Sequence, residues 1–183
     1  MTADFVFGYG ALVDEYEGAV AELHGWQRLW GVAMDNTVTI PGYKLYRAPD
    51  GSRPAVCVAF LDIEQRAGAV VNGLCLPVTE RRLAALDARE RNYRRTEVTA
   101  SIADPPGRVW AYSGREAGRA RLRAGARAVI QADYLRAVED GFRALGQLEY
   151  EAFLASSDLD GLPVWDLERV DLPADAPPAE EGA

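Results

Sequence analysis

The sequence predicts an α+β domain with a small, strongly curved mixed β-sheet or barrel and flanking helices. Three observations carry this reading. Short apolar, strand-like runs dominate the first half of the chain, and Pro/Gly turn signals separate them. Helical periodicity enters only near Thr79, and two further helical segments follow late in the chain. The 183 residues, 49% of them hydrophobic, suffice for one sizeable core. They read as a single domain over 1–170, with an acidic, Pro- and Ala-rich tail over 171–183 that is expected to be flexible.

Taken in order, strands are expected over Asp4–Phe7, Ala19–Leu23, Gln27–Met34, Ala55–Leu61 and Val70–Leu76. Pro41-Gly42 and Pro49-Asp50-Gly51 mark turns, and Asn72-Gly73 inside an apolar run predicts a bulge or tight turn. A helix is expected from Thr79 to about Tyr93. Strands over Glu97–Ile102 and Arg108–Tyr112 then join through Pro105-Pro106-Gly107. The Arg- and Gly-rich stretch from Gly114 to Arg127 reads as a loop. Helices over Ala132–Leu145 and Leu148–Ala155 follow, with Gly146 as the C-cap between them.

Composition excludes some function classes. A net charge of −8 argues against a nucleic-acid partner, which calls for a basic surface. It is compatible with a small anionic ligand, because a local site can differ from the average. No run approaches the roughly 20 apolar residues of a membrane span, and Asp4 and the early glycines interrupt any leader-like segment. The expectation is a cytoplasmic protein with no membrane partner. Cys57 and Cys75 lie in strand-like runs and read as buried free thiols. His24 is the one histidine, so no metal cluster or catalytic relay built on several imidazoles is expected, and His24 itself reads as structural.

The richest chemistry lies near the start. Phe5-Val6-Phe7 leads into Gly8-Tyr9-Gly10-Ala11-Leu12-Val13: a strand that opens into a glycine turn. Glycine permits a sharp bend or close backbone approach, and N–H groups freed there can converge on a carboxylate or oxyanion. Gly8-x-Gly10 is not a dinucleotide fingerprint, since Val13 stands where the third glycine belongs and no clear helix follows. A second signal is Glu90. At about 100° per residue, Glu90 falls within the arc of Leu83, Leu86 and Tyr93. A carboxyl drawn toward a core or cleft is a candidate general acid/base. Its competing reading is a partly exposed partner for a nearby arginine. Asp87 and Arg91 are spaced for a surface pair.

Other candidates divide by the same weighing. Tyr112 reads as packed at a sheet edge rather than lining a cleft, and Arg94 and Arg95 as solvated charge. Trp26, Trp30, Trp110 and Trp165 read as core or rim aromatics. Tyr134 can serve the core or a site, and its hydroxyl needs a partner if buried.

These residues together resemble the γ-glutamylcyclotransferase superfamily, which includes the ChaC-like and AIG2-like proteins. Phe7-Gly8-Tyr9-Gly10-Ala11-Leu12 is similar to the family's FGYGSL or YGSNL loop. Leu86-Asp87-Ala88-Arg89-Glu90 with Tyr93 resembles its Leu-Asp-x-x-Glu segment, and the Tyr134-Leu135 helix with Gly141 and Gly146 resembles its C-terminal helical region. The likeness covers residues 4–156. Ala11 replaces the family's serine, and Gly146-Gln147-Leu148 replaces a Gly-Leu-Pro segment of some members.

The resemblance implies an enzyme that releases 5-oxoproline and a free amine from a γ-glutamyl compound. It implies Glu90 as general acid/base, and substrate binding by Gly8, Tyr9, Gly10, Ala11, Leu12 and Tyr134. Attack by the substrate's own α-amine needs no metal, no cofactor and no protein nucleophile. The expected partner is a small γ-glutamyl substrate. Glutathione, γ-glutamyl amino acids and γ-glutamylamines stay open, with the Arg89-Glu90 pair leaning toward a glutathione-type peptide. The alternative is a noncatalytic small-molecule-binding domain of the same fold.

Overall fold

The structure is a computed structural model that describes residues 3–15, 18–124, 127–157 and 161–175. The element order begins β1 (Asp4–Gly8), α1 (Leu12–Glu15), β2 (Ala19–Asp35), β3 (Lys44–Arg47), β4 (Cys57–Val78) and α2 (Glu80–Arg89). It continues with β5 (Tyr93–Glu97), a 3-10 turn at Thr99–Ser101, β6 (Arg108–Gly114), α3 (Glu116–Arg123) and β7 (Ala128–Gln131). The remainder is α4 (Ala132–Leu145), α5 (Gln147–Ala155), β8 (Val164–Trp165) and β9 (Glu168–Asp171). The expected α+β class forms. Seven strands make one mixed sheet, and β3 and β9 make a separate antiparallel ribbon.

The sheet is organised around β4. β2 pairs antiparallel along nearly all of it, from Cys57↔Asp35 to Cys75↔Ala19, with register shifts at His24/Trp26 and Leu29/Val32. These irregularities bend and twist the pair. Since β2 occupies one edge of β4, the other edge serves two strands. The parallel strand β7 takes Cys57–Ala59, and the antiparallel strand β1 takes Leu74–Val78. Between them the edge of β4 has no neighbouring strand among the described residues.

Several sequence expectations are corrected. The run pairs Ala19–Leu23/Gln27–Met34 and Ala55–Leu61/Val70–Leu76 are halves of two continuous strands. The charged stretch at Glu64–Arg66 looks like an interruption because there the ribbon leaves the core and turns to solvent. Asn72-Gly73 is neither bulge nor turn. Both residues pair with β2, and glycine is required at 73 because a Cβ would stand 2.2 Å from the Gly8 carbonyl oxygen and 2.9 Å from the Phe7 ring. The loop expected over Gly114–Arg127 contains α3. That helix buries Gly118 against Val32, so its glycine is a contact residue rather than a breaker. The strand expected over Glu97–Ile102 lies earlier, as β5.

The first long helix also ends sooner than expected. Thr79 caps α2 by accepting from the Arg82 N–H at 3.2 Å, and Leu83 and Leu86 pack on Val6 and Tyr112. The helix stops at Arg89, and Tyr93 begins β5. The expected Asp87–Arg91 pair does not form. Asp87 pairs with Arg95 at 3.0 Å and accepts from the Tyr112 hydroxyl at 2.8 Å.

α4 and α5 match expectation, with Gly146 between them at φ 121°. The rings of Phe142 and Phe153 stack 4.6 Å apart, and the Arg28 guanidinium lies over both at 4.9 and 5.0 Å. Burial lowers the Arg28 pKa to about 9. Cys57 and Cys75 are buried free thiols, as expected. No helix among the described residues is long and apolar enough to cross a membrane. Of the expected loose tail, 176–183 lie outside the described residues, whereas Leu172 and Pro173 are hydrogen-bonded to the backbone of Tyr43 and Gly42.

Candidate active site

A cavity of about 420 Å³ opens where β4 lacks a strand neighbour. The backbone of Leu61 would be an orphan there, and buried backbone groups demand partners. Two tyrosines supply them. The Tyr93 hydroxyl donates to the Leu61 carbonyl at 2.7 Å, and the Leu61 N–H points to the Tyr134 hydroxyl at 3.4 Å. Tyr134 also packs edge-on against Phe60 and Trp30. Its helix start is set by Gln131, which accepts from the Tyr134 N–H at 2.6 Å.

One wall is the glycine turn. Tyr9, Gly10, Ala11 and Leu12 line the cavity, while Gly8 stands behind it as the last residue of β1, paired with Leu74. Tyr9 is fixed by a 2.5 Å hydrogen bond from its hydroxyl to the Tyr112 carbonyl. Val13 N–H closes back onto the Gly10 carbonyl at 2.9 Å and starts the four-residue α1, a helix not foreseen at this position. Among the described residues no group accepts from the N–H of Gly10, Ala11 or Leu12. Those donors are free for an anionic atom.

Glu90 lines the same cavity. The helical-wheel reading places it in the correct direction, but the cause differs. Glu90 is the C-cap of α2, at φ −84° and ψ 55°, and its side chain turns from the helix end toward the cavity. It is 20% exposed and accepts from Arg89 Nε at 2.9 Å. The arginine-partner reading and the cavity reading therefore hold at once. Burial raises the pKa of Tyr9, Tyr93 and Tyr134, and the nearby Glu90 charge adds to the rise. These hydroxyls stay protonated, and those of Tyr9 and Tyr93 donate to the Tyr112 and Leu61 carbonyls.

The structure thus brings Tyr9, Gly10, Ala11, Leu12, Glu90 and Tyr134 to one cavity, and leaves Gly8 outside it. Sequence reasoning underrated Tyr112, which pairs with Arg95 of β5 just beyond the end of the β1 pairing at Trp110, and which lines the cavity. It also missed Tyr43 and Lys44, which the ribbon delivers. Buried Asn36 makes that delivery possible. Its amide donates to the Tyr46 and Pro54 carbonyls and accepts from the Tyr46 N–H, clasping β3 to the end of β2. Asn36 stands between Asp35 and Thr37, so nothing in the local sequence sets it apart from an ordinary polar turn. His24 is exposed beside Glu22, and Arg94 and Arg95 are exposed, as expected of the arginines.

A curved, split mixed sheet with a glutamate and a glycine turn facing one hollow defines the class of protein. Comparison with known proteins agrees. The profile of the family described as "Gamma-glutamyl cyclotransferase, AIG2-like" matches residues 6–136, and the chain belongs to that family. None of the curated proteins matches the chain.

Among solved structures, YkqA from Bacillus subtilis is similar with a TM-score of 0.55 at 15% identity, over 88% of this chain. The chain spans 56% of YkqA. A protein described as a gamma-glutamyl cyclotransferase is similar with a TM-score of 0.51 at 18% identity, over 88% of this chain and 93% of that one. The uncharacterized protein loc79017 from Homo sapiens is similar with a TM-score of 0.50 at 16% identity, over 83% of this chain and 86% of that one. At these identities the likeness concerns the fold.

Proposed function

We propose that this protein is a γ-glutamyl cyclotransferase that converts a γ-glutamyl compound to 5-oxoproline and a free amine. The observation that carries this reading is that Glu90 and the Tyr9–Leu12 turn, far apart in sequence, line one cavity. Family membership supports it.

The chemistry follows from those two parts. The substrate's glutamyl chain curls so that its α-amine meets its own γ-carbonyl, which turns the reaction into a problem of orientation. The α-nitrogen bonds to the γ-carbonyl carbon, Cδ, and the carbonyl oxygen takes up negative charge facing the free N–H groups of the glycine turn. Glu90 takes a proton from the attacking amine and returns it to the departing nitrogen as the old amide bond breaks. Atoms and protons balance without a co-reactant. Tyr9, Tyr93 and Tyr134 hold the carboxylate's surroundings fixed. Ala11 leaves recognition at the turn to the backbone rather than to a hydroxyl.

The test is to incubate the protein with glutathione, γ-glutamyl amino acids and γ-glutamylamines and to measure 5-oxoproline. Product is expected from at least one class. Glu90→Gln keeps the shape but removes the titrating group, so the rate is expected to fall by about 10²-fold or more with an unchanged circular dichroism spectrum. Turnover that survives this substitution defeats the assigned role. Binding without turnover across the panel favours the noncatalytic domain.

A further inference from the structure

Resting on that reading, we propose that Lys44 selects substrates whose departing amine carries a carboxylate. Four basic residues line the cavity: Lys44, Arg89, Arg91 and Arg169. Three of them are committed. Arg89 binds Glu90, Arg91 donates to the Pro41 carbonyl at 3.3 Å, and Arg169 pairs with Asp171 at 2.7 Å. Lys44, the only lysine of the chain, makes no hydrogen bond or close ion pair among the described residues, and the Glu90 and Asp171 carboxylates act on it only through longer-range attraction. Its ammonium lies over the Phe60 ring at 4.3 Å, with Tyr43 and Tyr46 at 5.6 and 5.9 Å. A half-buried cation resting on aromatic faces is under-solvated, and an anion brought beside it makes a strong charge-assisted contact. Burial already lowers its pKa to about 8.

Position assigns this charge to the leaving group rather than to the glutamyl half. The glycine turn meets Tyr134, whose hydroxyl would touch a Cβ at Gly10 at 3.4 Å. Tyr134 packs on Phe60 with ring centroids 5.1 Å apart, and Lys44 lies beyond, over Phe60. A glutamyl group seated at the turn therefore sends its amide substituent along these rings toward Lys44. The ribbon holding Lys44 is anchored independently, through Lys44↔Asp171 pairing and the Asn36 clasp.

The test compares γ-glutamylalanine with γ-glutamylethylamine, which differ by the one carboxylate. Wild type is expected to favour the first by about tenfold or more in kcat/KM. Lys44→Met is expected to erase the preference by lowering only the alanine compound, and Lys44→Gln serves as a second variant of different packing. Equal loss on both compounds, or an unchanged preference, overturns the proposal, because Lys44 would then serve the shared glutamyl half or neither. If neither these two compounds nor glutathione yields 5-oxoproline, the cyclotransferase reading has failed separately. Calorimetric binding of the same pair then decides on Lys44. Tighter binding of the alanine compound that Lys44→Met abolishes supports it. Equal affinity, or no binding of either, overturns it.

Discussion

At the scale of single residues, the site depends on groups that have no alternative partner. The Tyr9 hydroxyl donates to the Tyr112 carbonyl in a buried setting. Tyr9→Phe leaves that carbonyl unsatisfied, and a loss of about 1–2 kcal/mol is expected in urea unfolding. An unchanged midpoint would mean that water or a shift of β6 replaces the bond. Gly73→Ala places a methyl group against the Gly8 carbonyl and the Phe7 ring. Since the nearest atom is backbone, it is expected to cost about 2 kcal/mol or more and to disturb the glycine turn, readable as a fall in both stability and substrate affinity. Glu90 and the turn were legible in the sequence because each is a local pattern. Lys44, Tyr43 and Asn36 were not. Lys44 and Tyr43 gain their place when β3 pairs with β9, a partner separated from it by most of the chain, and Asn36 when it clasps Tyr46 and Pro54.

At the scale of elements, β4 is the organiser, and Asp62 is where a helix and a strand are tied to it. Fully buried, Asp62 accepts from the Gly114 N–H at 2.6 Å and pairs with Arg119 at 2.7 Å. It thereby joins β6 and α3 beside Leu61. Removing one partner of a buried pair leaves a stranded charge. Asp62→Ala is therefore expected to destabilise by about 3–5 kcal/mol, measured by denaturant unfolding, while Arg119→Ala combined with it should cost little more. Strict additivity of the two would show that they act separately. Asp62 also explains why the sequence pattern divided β4 in two. A buried aspartate followed by solvent-facing charges breaks the alternation expected of a strand, although the backbone continues to pair with β2. α3 escaped for the reverse reason, since a helix whose main buried contact is a glycine shows no apolar stripe.

At the scale of the whole molecule, the pH dependence of stability carries the signature of its buried groups. Lys44 titrates at about 8 in the fold against 10.5 ordinarily. Between those values the unfolded chain binds the additional proton, so the penalty of burying this ammonium is present below pH 8 and is relieved as pH rises toward 10.5. Lys44→Met is therefore expected to melt higher than wild type at pH 7, with the gap closing toward pH 10. Thermal melts across that range check this, and a constant gap would assign the gain to packing. The raised phenols act in the opposite sense. Above about pH 10 the unfolded chain ionises its tyrosines first, so both proteins should lose stability there. The empty stretch of β4 edge between β1 and β7 has a consequence of another kind. Because two strand ends mark the limits of the hollow, its breadth is a property of the skeleton. Exchanging wall side chains can retune which small molecule the hollow favours, whereas admitting a much bulkier one would require one of those strands to be shortened or slid along its neighbour.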